Sequence, residues 1–123
     1  MSDERRSFGI RGELLAREFL EGKGHTVLAV NFRVKFGELD LVTRDGETVV
    51  FVEVRTRCHD IFGHPLESVG PGKRRRLGRL AEFFLLERFG TTSVACRFDI
   101  IAIVATGSDE PQIVHLENAF PAL

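Results

Sequence analysis

The spacing of apolar residues changes period along the chain, and each change marks an element. From about Gly9 to Glu21, Ile10, Leu14, Ala16 and Leu20 recur at helical spacing, and Gly22-Lys23-Gly24 ends the run. A strand follows near Thr26–Arg33, carrying Val27, Leu28 and Val30, and Lys35-Phe36-Gly37 reads as a turn. Glu38–Arg44 alternates, with Leu39, Leu41 and Thr43 on one face and Glu38, Asp40, Val42 and Arg44 on the other. Asp45-Gly46 signals a hairpin, and Thr48–Thr56 is its second arm. Gly and Pro make a loop of Cys58–Gly72. A second helix is predicted over Pro71–Phe89 with Gly90 as its stop, then an apolar strand over Val94–Val104 and a weaker one over Pro111–Leu116. Helix, three strands, helix and two strands predict a layered α/β fold, a mixed sheet flanked by helices.

At 123 residues the chain is expected to form one domain, 1–123. No apolar run approaches the ~18–20 residues that cross a bilayer, and the first residues lack the apolar stretch of a signal peptide, so the cytoplasm is the expected compartment. Cys58 and Cys96 have no metal-ligand spacing and are expected to be thiols. The net charge of −1 argues against a protein that coats nucleic acid indiscriminately, but the charges are segregated. Lys73, Arg74, Arg75, Arg76 and Arg79 crowd the start of the second helix, where the helix dipole opposes them. That placement points to an anionic partner such as a phosphate backbone, against the plainer reading of a solvated surface. Leu77, Leu80, Ala81, Phe84 and Leu85 make the buried stripe of the same helix and leave the cations toward solvent.

Candidate chemistry lies in acidic residues set inside apolar strands, where a charge is costly unless paired or bound to a cation. With Asp45-Gly46 as the hairpin loop, Val42 faces Val49, Asp40 faces Phe51 and Glu38 faces Glu53. Asp40 and Glu53 then share a face one diagonal step apart, ~7–8 Å. Arg55 lies on that face, two residues further on. Oxygen-only sites of this kind suit Mg²⁺ or Mn²⁺, which take remaining ligands from water and substrate phosphates, and Arg55 is placed to stabilise charge on a phosphate. The competing reading is a structural ion pair, Glu53–Arg55 or Asp40–Arg44. Glu13 lies beside the apolar stripe of the first helix, with an i,i+4 pair to Arg17 as its plain alternative. Asp99 interrupts an apolar strand and is expected to pair with a nearby arginine in a structural role, with support of the candidate site from behind its ligands as the alternative. His59 and His64 fall in the loop before the basic helix and are expected at the surface, with contact to substrate as the alternative. Phe36 and Phe62 fall in loops where a ring can stack on a base, although eleven Phe in a small core need no such explanation.

The spacing Asp40…Glu53-Val54-Arg55 resembles the D…(D/E)xK signature of restriction-endonuclease-like nucleases. A longer ordered set resembles the small bacterial UPF0102 (YraN) family, related to archaeal Holliday junction resolvases. It comprises Gly12-Glu13-Leu14-Leu15-Ala16, Asn31-Phe32-Arg33, Gly37-Glu38-Leu39-Asp40-Leu41-Val42, Phe51-Val52-Glu53-Val54-Arg55, Lys73-Arg74-Arg75-Arg76-Leu77, Arg97-Phe98-Asp99 and Asn118-Ala119-Phe120, nearly the full length. The resemblance implies a restriction-endonuclease-like α-β-β-β-α-β core and a divalent-metal-dependent DNA endonuclease, with branched DNA among its candidate substrates. It implies Asp40, Glu53 and Glu13 as ligands of Mg²⁺ or Mn²⁺, the cations from Lys73 to Arg79 as the nucleic-acid contact, and a homodimer as the assembly suggested by the resolvases. Arg55 stands where the nucleases carry lysine, and a guanidinium cannot serve as a base near neutral pH. The alternative is a non-catalytic nucleic-acid-binding protein that keeps the nuclease fold.

Overall fold

Two helices of unequal character cover opposite faces of one sheet, and the central strands are apolar on both sides because each face has a helix to meet. The computed structural model describes residues 2–57, 69–104 and 110–121. Its elements are α1 (Ser2–Gly22), β1 (Thr26–Val34), β2 (Gly37–Asp45), β3 (Thr48–Arg57), α2 (Pro71–Phe89), β4 (Cys96–Val104) and β5 (Gln112–Phe120). The sheet has five strands in the order β1-β2-β3-β4-β5. The pairs β1/β2, β2/β3 and β4/β5 are antiparallel, whereas β3 and β4, separated in sequence by α2, run parallel. The expected α-β-β-β-α-β core with a mixed sheet is present.

Neighbouring residues of the central strands sort onto opposite faces. Val50 and Val52 of β3 and Ile101 and Ile103 of β4 pack with Ala16 and Leu20 of α1. Val49, Phe51, Phe98 and Ile100 pack instead with Leu77, Leu80, Ala81, Phe84 and Leu85, the stripe expected of α2. Continuous apolar runs are what strands buried on both faces require. At its start α2 has Pro71, which has no N–H to leave unpaired, and at its end the left-handed Gly90 (φ 75°) donates its N–H to Leu86 O at 2.9 Å.

Three boundaries differ from expectation. Helix α1 begins at Ser2 rather than near Gly9, and Leu14, assigned to its apolar stripe, is exposed. Strand β4 begins at Cys96 rather than Val94. Strand β5 runs on to Phe120 rather than stopping near Leu116. The β5 extension crosses a bulge, since Phe98 pairs with Phe120 but Ile100 with Leu116. Asn118 takes a positive φ of 51° there, a conformation Asn tolerates better than most residues. Its N–H is held at 2.9 Å by the carboxylate of Asp99. Cys96 is a free thiol, and burial raises its pKa. Cys58, His59, Phe62 and His64 lie outside the described residues.

Helix α1 meets β3 at Gly12, where a Cβ would overlap the Thr56 Cγ2 methyl. Thr is β-branched and cannot swing that methyl away freely. Gly12→Ala is therefore expected to lower stability by about 1–3 kcal/mol through overpacking, although alanine is the better helix former. A urea melt of the two proteins checks this.

Candidate functional site

The β2–β3 hairpin closes differently from the sequence-based register. Asp45 pairs with Thr48, so the loop is Gly46-Glu47, with Gly46 left-handed at φ 64°. Val42 consequently faces Phe51, not Val49, and the pairing shifts by two residues. Continued outward, this register sets Asp40 opposite Glu53 instead of one diagonal step away. The backbone ladder stops at Leu41↔Val52. Beyond it, the Val54 N–H donates to Asp40 Oδ2 at 3.0 Å, so a side chain takes a bond that strand pairing would otherwise supply. The alternation expected of β2 also breaks at this point. Leu39 joins the α2-face cluster and Leu41 the α1-face cluster, so they do not point the same way.

Asp40 is consequently held where its charge is poorly compensated. Burial and then the nearby charge of Glu53 raise its pKa to about 6; the Val54 N–H opposes the rise, and the charges of Glu13 and Glu38 add to it. Glu53 is itself well buried and accepts a 2.9 Å bond from Lys73 Nζ at the start of α2. The two carboxylates border a hollow floored by Leu39, Phe51, Leu77 and Phe98. Arg55 follows Glu53 by one strand repeat. Its Nε and Nη2 are buried and have no hydrogen-bond partner among the described residues. Those two N–H groups form the edge with which a guanidinium grips a carboxylate or phosphate bidentately, and leaving them unmet is costly.

The remaining candidates are distributed as follows. Glu13 is half-buried on α1, and its charge reaches Asp40. Arg17, its alternative partner, lies 3.9 Å from Glu21 instead. Glu38 is engaged by Arg33. Among the described residues, no three His, Cys, Asp or Glu side chains gather closely enough to enclose a metal ion. Asp40 and Glu53 still provide hard oxygen donors with excess negative charge, which fits a water-rich Mg²⁺ or Mn²⁺ site completed by phosphate oxygens. The basic run divides. Lys73 turns into the site, and Arg74 bonds Val69 O at 3.1 Å and lies over the Phe120 ring. Arg75, Arg76 and Arg79 face solvent. That Lys73 belongs to the site was not legible in a run of five cations; only the docking of α2 selects it.

A second polar cluster lies on the α1 face, where Asp99 is fully buried. It accepts from Arg97 Nε at 3.0 Å and Nη2 at 3.3 Å, from His115 Nε2 at 2.8 Å and from the Asn118 N–H at 2.9 Å. Lys23 Nζ, a donor only, lies 2.8 Å from His115 Nδ1, which assigns the ring proton to Nε2. Burial alone would raise the Asp99 pKa, but the bonds from His115, Arg97 and Asn118 outweigh it and hold the carboxyl below its usual range. Nearby, burial lowers the pKa of His25, whose Nδ1 lies 2.8 Å from Thr43 Oγ1. Asp99 thus has the arginine partner expected from sequence and a structural role, tying β4 to β5 and to the end of α1.

The Asp40 shift has a definite sign. Its folded pKa of about 6 stands above the ordinary 3.8. The carboxyl is therefore tolerated in the folded state at low pH, and that tolerance is lost as pH rises through about 6. Asp40→Asn removes the charge and keeps an acceptor for the Val54 N–H. In EDTA, the variant should match the parent near pH 4 and exceed its stability near pH 8 by about 1–3 kcal/mol. Chemical denaturation across that range reads the difference, which a solvated Asp40 would leave flat.

A family model described as "Uncharacterised protein family UPF0102" matches residues 12–103. A UPF0102 protein of Geobacter sulfurreducens is 42% identical over 119 residues, covering 97% of this chain and 92% of the relative. One from Alkalilimnicola ehrlichii is 46% identical over 114 residues, covering 93% and 86%. One from Nocardia farcinica is 41% identical over 117 residues, covering 95% and 91%. The matched span runs from Gly12 in α1 through Asp40, Glu53, Arg55 and the basic start of α2 to Ile103 in β4, and on this similarity the chain belongs to the UPF0102 family.

Proposed function

We propose that this protein is a divalent-metal-dependent endonuclease of the restriction-endonuclease-like kind, hydrolysing phosphodiester bonds in DNA. The observation that carries the reading is the convergence of Asp40 and Glu53 where β2 and β3 part, with the unmet Nε and Nη2 edge of Arg55 one strand repeat beyond Glu53. Asp40 and Glu53 would hold Mg²⁺ or Mn²⁺, with Glu13 adding negative charge from α1. When bound, that ion supplies Lewis-acid polarisation of the phosphodiester and activation of water. Arg55 donates to the non-bridging phosphate oxygens and stabilises the charge that grows on them. It stays protonated and takes no proton from water. Lys73, on Glu53 in the absence of substrate, is a second cation within the site. Arg75, Arg76 and Arg79 continue positive charge along the exposed face of α2 toward flanking phosphates.

A binding protein without turnover is the second reading. It is favoured by the Lys73–Glu53 ion pair, which already neutralises one carboxylate, and by arginine in the lysine position.

Labelled linear, flapped and four-way-junction DNA, incubated with Mg²⁺, Mn²⁺ or EDTA, separates the two. Cleavage is expected with metal and none with EDTA. Glu53→Gln should abolish it, and Arg55→Ala should reduce turnover by about 10²-fold. Cleavage that survives chelation, or Glu53→Gln, would overturn the metal-dependent mechanism; binding with no cleavage of any substrate would establish the second reading. Replacing Arg75, Arg76 and Arg79 by Ala should weaken binding to all sequences alike and lower the salt slope by about 1 for each phosphate that the variant no longer neutralises.

A further inference from the structure

One exposed surface is used by neither the carboxylate site nor the Asp99 cluster. Phe36, in the turn between β1 and β2, is 46% exposed, and Phe83 on α2 is 38% exposed. Their rings meet edge to face with centroids 5.8 Å apart, and Phe83 leans on Phe32 at 6.3 Å. The turn is seated close to α2, since a Cβ on Gly37 would meet Leu80 Cδ1 at 3.0 Å. The two rings are therefore held by separate elements in one fixed arrangement, half open to solvent. The core does not need them there, because Phe84 on the same helix turn is the ring that fills it.

Cations adjoin the pair on the side toward the carboxylates, and the acidic residues Glu82 and Glu87 lie next to Phe83 and one turn beyond it. Arg76, Arg79 and Phe83 follow one another at i, i+3 and i+7, one stripe of α2, and both arginines are exposed. Lys35, also exposed, stands next to Phe36. The stripe leads to the carboxylates by two routes of similar length. Lys73 to Phe83 is ten helical residues, about 15 Å. Phe36 to Asp40 is four strand residues, about 13 Å.

We propose that Phe36 and Phe83 form a stacking platform for an unpaired base, and that Lys35, Arg76 and Arg79 hold the adjoining phosphates of a single-stranded segment leading to the Asp40–Glu53 site. Aromatic rings set among cations are the common means of binding single-stranded nucleic acid, because every base has a face to stack and a phosphate beside it. A paired duplex cannot offer a base face to the rings without unstacking. The surface suits a second copy of this chain less well: a twofold contact would set one cationic patch against another, and charged residues are depleted at the cores of stable interfaces. The inference rests on the reading that this chain binds nucleic acid, and not on whether it cleaves it.

The test is fluorescence anisotropy in EDTA, so that binding is read without cleavage, using a labelled single-stranded 15-nucleotide DNA and a blunt duplex. Phe36→Leu and Phe83→Leu keep apolar bulk while removing the ring, and thermal melts confirm that each variant is folded. Each is expected to weaken single-strand binding about 5- to 100-fold and to leave duplex binding unchanged. Phe36→Trp gives the chain its one tryptophan, and its emission should be quenched by the single strand but not by the duplex. Equal losses for both DNAs, no loss, no quenching, or no single-strand binding by the parent protein would each overturn the platform. So would leucine variants that shift oligomeric state in sedimentation and leave single-strand binding intact, an outcome that assigns the surface to a second copy. Failure of cleavage alone would overturn the endonuclease reading and leave these binding outcomes readable.

Discussion

The bond from the Val54 N–H to Asp40 Oδ2 is the constraint on which the site depends. A strand pair normally satisfies its amides along the whole ladder, and a buried amide left without a partner is destabilising. Here the β2–β3 ladder stops after Leu41↔Val52, and the Asp40 carboxylate takes over as acceptor. That substitution lets the two strands part without orphaning the backbone. It also fixes Asp40 close to Glu53, at the cost of placing two carboxylates in a poorly solvated position. The raised pKa of Asp40 is the electrostatic signature of that arrangement.

Asp99 provides the contrast. It is more deeply buried than Asp40, yet its pKa moves the other way because Arg97, His115 and the Asn118 amide all donate to it. Burial alone thus does not set the direction of a carboxylate's pKa; the supply of donors decides it. Asp99 is saturated and joins β4, β5 and the end of α1. Asp40 has one amide and acidic neighbours, and on β3, one strand repeat beyond Glu53, Arg55 has N–H groups with no acceptor among the described residues. Carboxylates short of donors, with unmatched guanidinium N–H groups further along the same strand, are what a site for a cation and a phosphate would require.

Helix α2 relates the fold to that site. Its buried face closes the sheet, its first turn delivers Lys73 to Glu53, and its outer face carries exposed arginines that end at Phe83. One rigid element therefore sets the distance between the carboxylates and the surface around Phe36. The crossover from β3 to the parallel strand β4 is what brings that helix over the site, and a hairpin connection in its place would have left Glu53 without its cation.

Periodicity and turn chemistry in the sequence determined the element order, the apolar character of β3 and β4, and the approximate limits of α2, because these follow from local spacing and from Pro and Gly at defined places. The same patterns singled out Asp40, Glu53 and Arg55 as charges out of keeping with their strands, and Asp99 as the partner of an arginine. Tertiary structure decided what local spacing could not. A hairpin signal at Asp45-Gly46 is compatible with more than one pairing; the two registers differ by two residues and keep the same side chains on each face, so alternation could not choose between them and only the packed sheet set Asp40 opposite Glu53. Which of five clustered cations enters the site depends on how α2 docks, and the length of β5 depends on a buried carboxylate on another strand holding the Asn118 amide. Each of these outcomes is a contact between residues far apart in the chain, and a one-dimensional pattern carries no record of which distant partner satisfies a charge or an amide.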